Sequence, residues 1–532
     1  MQYRRIVILF AIFWFIVACS SPASLQEDVA RNRIVYGLTL QPSGFDPHIH
    51  ASSELGIPLR QVYDTLVYRD PATLALVAGL ATDWTISPDG LTYSFTLRQD
   101  VHFHDGTPFN AQAVAANLDR IANSATGSQK AIFMLGPYAG YETVDDYTIR
   151  ILLSEPYSPL LDSLSQVYLG MASPTALGQY SNDTYQFHQV GTGPFRFVEY
   201  IPGDRLVVQR NPDYIWGPSF YQSPAENRVD EVEFRFFDDV GTRAIALESG
   251  DAQIMGELLA TDARALSANS QIQLLPVSIP GQPLQFLMNT QRFPTDDLRV
   301  RQALVYATNR EAIIDAVFQR FSNIAWGPLA ATTAFYNPEV VGAYAFDPSQ
   351  SEALLTDAGY QDTDNNGYLD FGGADVEVNL IVPPWGLIPE VAQLLQDQWR
   401  TVGIRANLNQ VPSRGLLFEQ VQTGEYNLAA YYEFGVDPAF LSRYFTTEGA
   451  NNWTGFSDPT LDNLLFDAER QSDPASRATL YAQAQRTIME QALILPIRDY
   501  VNLNGARSSI QGLTFDAFGW FPLLNQVTVN TG

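Results

Sequence analysis

Cysteine and lysine are almost missing from this chain of 532 residues. The only cysteine is Cys19, so no intramolecular disulfide, CxxC redox pair or cysteine-rich zinc site can form. The only lysine is Lys130, a single candidate for Schiff-base or Walker chemistry, and no Gly-rich phosphate loop accompanies it. Charged residues make up 17%, below the roughly 25% of an average domain, so the surface must rely on neutral polar groups. Positive charge is scarcer still. The 31 Lys+Arg stand against 58 Asp+Glu, a net charge of −27 that argues against nucleic acid and against extended contact with an anionic membrane. Beyond residue 17 no apolar run approaches the roughly 18 residues of a spanning helix. Gly-x-Ser-x-Gly, His-Glu-x-x-His and any local Ser–His–Asp signature are also missing, so the chain does not read as an enzyme.

What is present describes a folded, extracytoplasmic protein. The 46% hydrophobic and 12% aromatic content excludes a disordered chain, and the length suits two to four domains. Arg4 and Arg5 precede an apolar run from Ile6 to Val17, too short for an ordinary spanning helix and typical of a secretory signal. The run ends in Ile16-Val17-Ala18-Cys19, which resembles a bacterial lipobox. That resemblance implies a signal peptide over 1–18, lipidation of Cys19 and a tether over 19–33. A plain signal peptide with an accidental cysteine is the alternative.

Strand and helix signals alternate irregularly, giving a mixed α/β class. Residues 34–38 read as a strand, and Tyr93, Phe95 and Leu97 alternate as one strand face after the Pro88-Asp89-Gly90 turn. Pro202-Gly203-Asp204 between 195–200 and 205–210 is a hairpin signature. Asp296 and Asn309 are candidate helix caps, and further helices are expected over 349–358, 387–402 and 474–491.

Two segments invite metal readings. His102-Phe103-His104-Asp105 places two imidazoles and a carboxylate close together, on one face if the segment is a strand. Asp362, Asp364, Asn366, Tyr368 and Asp370 follow the alternating spacing of the first part of an EF-hand loop, with Gly367 as the turn glycine. Position twelve, however, is Gly373 rather than a bidentate glutamate. A structural Ca²⁺ and a polar Asx-rich turn are the two readings; no other cofactor is required.

A series of short motifs runs in order along the mature chain: Gly44-Phe45-Asp46-Pro47-His48, Val62 to Val67, Leu80-Ala81-Thr82-Asp83-Trp84, Leu97 to Gly106, Val190 to Phe195, Arg299 to Leu304, Leu354 to Tyr360, Asp437-Pro438 and Asn452 to Phe456. Together they resemble the family 5 solute-binding proteins of ABC importers, the branch of oligopeptide- and dipeptide-binding proteins. The resemblance implies a two-lobed, periplasmic-binding-protein-like fold of class II, extended type, with an extra N-terminal subdomain. Lobe I would comprise 34–74, 190–285 and 500–532, the subdomain 75–189 and lobe II 286–499. It implies an interlobe cleft that captures a peptide or peptide-like solute for an ABC permease, in a monomer anchored outside the cytoplasm by its lipid. Non-peptide solutes (an oligosaccharide, an opine-like compound, a chelated metal) are the alternative, with a solute-sensing receptor or a secreted hydrolase further away. The His102–Asp105 tetrad recurs in the family as a structural motif, which favours packing over metal binding.

By the same resemblance, Phe45, His48, Asn289, Trp385, Arg414, Tyr431, Tyr432, Phe434, Asp437, Asn452 and Trp453 are candidate ligand contacts, Arg414 as a carboxylate partner. Peptide-binding relatives grip the ligand's α-ammonium with an Asp three residues before the Asp-Pro pair. Here that position is Phe434. Either Asp437 or a shifted Glu433 replaces the anchor, or the ligand carries no free α-amine there; the second is the expectation adopted.

Overall fold

The computed structural model describes residues 32–222, 226 and 228–530. The signal segment, Cys19 and all but the last residues of the expected tether lie outside the described residues. Among the described residues no helix is long and apolar enough to cross a membrane.

Three sheets organise the chain. A seven-stranded sheet takes its strands from three distant stretches, in the order Ile272–Ser278, Val501–Arg507, Ile254–Met255, Arg33–Leu38, Glu231–Phe236, Arg205–Arg210 and Phe195–Ile201. Its last two strands are the expected hairpin, antiparallel across the 202–204 turn. A five-stranded sheet runs Arg405–Gln410, Glu377–Val382, Leu428–Ala430, Leu284–Met288 and Ile494–Arg498. A four-stranded antiparallel sheet, all from residues 81–153, forms the third, and Tyr93, Phe95 and Leu97 point into its core. The apolar side chains of the five-stranded sheet and its helices form one buried cluster, separate from the cluster shared by the other two sheets. Two short stretches connect these bodies: residues 279–283, and Asp499-Tyr500 between strands Ile494–Arg498 and Val501–Arg507.

Local chemistry explains several of the motifs. Asp64, 1% exposed, accepts from Tyr68 Oη (2.6 Å), Thr192 Oγ1 (2.9 Å), Tyr214 Oη (2.9 Å) and Trp216 Nε1 (2.9 Å). One buried carboxylate thus ties the Val62–Val67 motif to the Gly191–Phe195 motif, and leaving it unpaired would be costly. Gly191 is needed because a Cβ there would meet the Val62 carbonyl at 2.0 Å. His104 bonds the Gly193 carbonyl through Nε2 (2.9 Å), whereas His102 is exposed, so the two imidazoles do not converge on a metal. Burial pushes the His104 pKa down to about 4, so the ring is neutral and Nε2–H is the donor.

Most of the expected helices begin at a capping side chain. Asn309 accepts from Ala312 N and caps Arg310–Phe318 as expected. The preceding helix, Leu298–Tyr306, is capped by Asp297, whose carboxylate accepts from Arg299 N at 2.8 Å, rather than by Asp296. Helices Pro348–Asp357, Ile388–Arg400 and Pro474–Glu490 occupy the remaining predicted segments.

Candidate functional site

Strand Leu428–Ala430 of the five-stranded sheet ends and delivers residues 431–435 beside the first connecting stretch. Gln282 N donates to Glu433 O (2.7 Å) and Gly435 N to Pro280 O (3.1 Å), so the connection itself fixes this segment. Gly281 permits the approach. Its φ is +129°, and a Cβ would lie 2.4 Å from Glu433 O and 2.6 Å from Phe434 Cα.

Phe434 therefore projects into an aromatic cluster drawn from both sides of the connections. Its ring centroid lies 5.3 Å from Tyr432, 4.9 Å from Tyr500 and 5.7 Å from Trp520. Tyr500 sits on the second connection. Trp520 is carried by a tight turn in which Gly519 N and Phe518 N both donate to Asp516, which pairs with buried Arg60 at 3.4 Å. Burial raises the Asp516 carboxyl to about 6 despite Arg60.

Tyr432, Phe434 and Trp520 of this cluster line a cavity of about 360 Å³. Arg414, Tyr431, Glu433, Arg443 and Tyr444 line it from the five-stranded body, and Lys130, Tyr168 and Trp520 from the opposite side. The Arg414 guanidinium donates to Tyr431 Oη and sits 5.5 Å from the centroids of Phe418 and Tyr431. Glu433 is fully engaged: Oε1 accepts from Arg443, and Oε2 accepts from Tyr444 Oη at 3.0 Å. Lys130 Nζ stands 3.8 Å from the Tyr168 ring centroid. Burial pulls its ammonium down to about 8, with Glu433 opposing and Arg443 adding to the fall.

A neighbouring cavity of about 280 Å³ adjoins the connections and is lined by Glu257, Pro384, Gly386, Arg498, Tyr500 and Asn502 among others. Arg498 is stacked between Phe318 (4.1 Å) and Tyr500 (4.5 Å) and donates to Ser322 Oγ at 3.0 Å. A cavity of about 600 Å³ is lined by the 88–90 turn and residues 467–480, and one of about 520 Å³ by strand Ile272–Ser278 and the turn that carries Trp520.

The candidate contacts fall into two groups. Arg414, Tyr431, Tyr432 and Phe434 share the 360 Å³ cavity. The others are placed elsewhere. Phe45 is fully buried, edge-on to Tyr200 at 4.8 Å. His48, also buried, bonds Gly170 O through Nε2 and takes a hydrogen bond from Arg120 at Nδ1, both 2.9 Å. Burial first, then Arg120, pushes its pKa down to about 4, so it is a neutral ring. Asn289 donates to Tyr426 O (3.0 Å) and Gly424 O (3.3 Å). Asn452 donates to Thr446 O (3.0 Å) and Phe456 O (2.9 Å), and Trp453 packs behind Tyr431 at 5.0 Å. Trp385 is half-buried against the five-stranded body's core, beside Pro384 and Gly386 of the second cavity. Asp437 is buried and gripped by Arg477 through two bonds of 2.8 and 2.9 Å, while its Oδ1 also caps Pro438–Phe440. Lys130, Tyr168, Tyr500 and Trp520 escaped the sequence reading. Lys130 was conspicuous only as the single lysine, and Trp520 lies in no motif.

At 362–370 the carboxylates of Asp362, Asp364 and Asp370 lie within 4.8 Å of one another. They accept from the turn's own backbone: Asp362 from Gly367 N (3.0 Å), Asp364 from Asn366 N (3.0 Å) and Asp370 from Thr363 N (2.8 Å). The Tyr368 ring stacks on Arg405 at 3.9 Å.

Known proteins place this geometry in context. The profile of bacterial extracellular solute-binding proteins, family 5 (middle), matches residues 75–452. The glutathione-binding protein GsiB of Pectobacterium atrosepticum is 30% identical over 496 residues, covering 90% of this chain and 91% of that protein. Among solved structures, HbpA2 from Haemophilus parasuis superposes with a TM-score of 0.81 at 26% identity, covering 94% of this chain and all of that one. NikA from Brucella suis, solved with Fe(III)-EDTA, gives the same TM-score and coverage at 24% identity.

Proposed function

From a chain that belongs to the family 5 bacterial extracellular solute-binding proteins, we propose the capture of a peptide or peptide-like solute between lobes and its delivery to an ABC permease. The architecture is the two-lobed one of its structural neighbours, and the relatives are solute-binding proteins rather than enzymes. The observation that carries the proposal is the cavity at the connections, walled by aromatic rings from both sides of the cleft and ringed by charged side chains. Two bodies joined by short connections open and close at low cost, and a solute touching both favours the closed form. Cleft aromatics suit amide planes and apolar side groups.

The ammonium question sharpens here. Both carboxylates near the expected anchor position are occupied, Glu433 by Arg443 and Tyr444 and Asp437 by Arg477. Phe434 fills the anchor position itself. This supports a ligand without a free α-amine at that end. Calorimetric titration with short peptides, free or acetylated at the N-terminus, tests it. Acetylation is expected to change affinity by less than about tenfold. A larger preference for the free amine, abolished by Glu433→Gln, would restore ordinary peptide recognition.

We also propose that Cys19 carries the lipid anchor. Cys19→Ser should release the processed protein from membranes with fold and binding intact; retention after confirmed signal cleavage would exclude the anchor.

A further inference from the structure

We propose that the 360 Å³ cavity is a carboxylate subsite in which Lys130 and Trp520 bind from one side of the cleft and Arg414 from the other. It rests on the solute-capture reading above and names the group the solute must carry. In a chain of net charge −27, three of the lining side chains are cations and one is a carboxylate. That carboxylate, Glu433, is already engaged by Arg443 and Tyr444.

What remains is one buried donor without an acceptor and two cations without a carboxylate partner among the described residues. Trp520 is 8% exposed, and its Nε1–H is buried with no hydrogen-bond partner. Lys130 has the Tyr168 ring beneath it and, among the described residues, no carboxylate within ion-pair distance. Arg414 donates to a neutral phenol and makes no ion pair among the described residues. A buried N–H left unpaired costs free energy that an acceptor would recover, and charge-assisted bonds to a carboxylate are the strong ones. An anion in the cavity that all three line would supply an acceptor for Trp520 and a counter-charge for Lys130 and Arg414, which a cationic or wholly apolar group would not.

Lys130 also lowers the cost of desolvating the anion, being partly dehydrated already; burial holds its ammonium near 8. A bound carboxylate would draw that value up again.

Because Lys130 is the only lysine, the subsite can be read directly. Reductive dimethylation of the full mature chain with ¹³C-formaldehyde labels a single ε-amine, assigned by loss of the signal in Lys130→Met. Excess succinate should shift this resonance and raise its titration midpoint, whereas succinamide should not. In calorimetry, acetylated tripeptides ending in a free carboxylate should bind at least about tenfold tighter than their C-terminal amides. Lys130→Met and Trp520→Phe should each remove most of that difference, read as the ratio of acid to amide affinity within each variant. Absence of a succinate shift, or equal affinity for acid and amide, overturns the subsite. A succinate shift in a protein that binds no member of the peptide panel overturns the peptide reading and leaves the subsite standing.

Discussion

The cleft cavity and the acidic turn at 362–370 are both dense in polar groups, and they differ in what satisfies them. In the turn, carboxylates from Asp362, Asp364 and Asp370 accept backbone N–H groups a few residues away. The turn is held together by its own chain, as Asx-rich turns are. In the cleft, Trp520 Nε1 has no acceptor and Lys130 has only an aromatic face. A high density of charged residues therefore does not mark a binding site; unanswered donors do. Asp437 makes the same point away from the cavity. It resembled an anchor in the sequence, but it is answered by Arg477 and by the Ala439 N–H.

Removing an answered group should cost stability, and removing an unanswered one should cost binding. The largest effect is expected from Arg477→Met, which leaves Asp437 buried and unpaired. Denaturant unfolding should show a loss of about 3–5 kcal/mol, and a loss under about 1 kcal/mol would mean that Asp437 is free for ligand after all. Gly281→Val comes next. Its side chain would collide with the Glu433–Phe434 backbone at a positive φ, for a cost of about 2–3 kcal/mol together with weakened binding from the displaced aromatic wall. Unchanged affinity in the folded variant would separate Phe434 from the ligand.

The Lys130 charge gives a smaller, reversible effect. Its pKa is lowered by burial to about 8, and a bound carboxylate raises it. Affinity for an acidic ligand is therefore full below pH 8 and falls above it, by up to about tenfold per pH unit until the bound-state value is reached. Glu433 and Arg443 are the charged groups that face Lys130, and burial pushes the Tyr168 phenol upward, out of this range. Lys130→Met should flatten the profile, and a profile that falls equally in both proteins would assign the titration elsewhere. The smallest effect belongs to the turn, whose carboxylates are already answered by its own backbone. Calcium should shift the melting temperature by less than about 2 °C, and Asp364→Asn should change it as little. A larger rise with calcium, abolished by Asp364→Asn, would make the segment a structural Ca²⁺ site.

Much of the architecture was legible in the chain because local signals and global fold agree there. The 195–210 hairpin, the alternating 93–97 strand and the Asn309 cap each follow from period, turn residues or capping chemistry. The site was legible only on one side. Arg414, Tyr431, Tyr432 and Phe434 could be found because they lie near motifs at matching positions. Phe45 and His48 belong to an equally clear motif, yet its work in the fold is packing and an Asp46–Arg120 ion pair at 2.5 Å. A motif records that residues matter together, without saying whether to the fold or to the ligand. Lys130 and Trp520 were illegible because their value lies in what they lack, and an unpaired donor exists only once the surrounding chain is in place.

The measurement that bears most directly on the central claim is mass spectrometry of the small molecule released by denaturing the mature protein purified without ligand. The account predicts a peptide-like solute with at least one free carboxylate. A neutral sugar, a cationic amine or any solute without a carboxylate would contradict it.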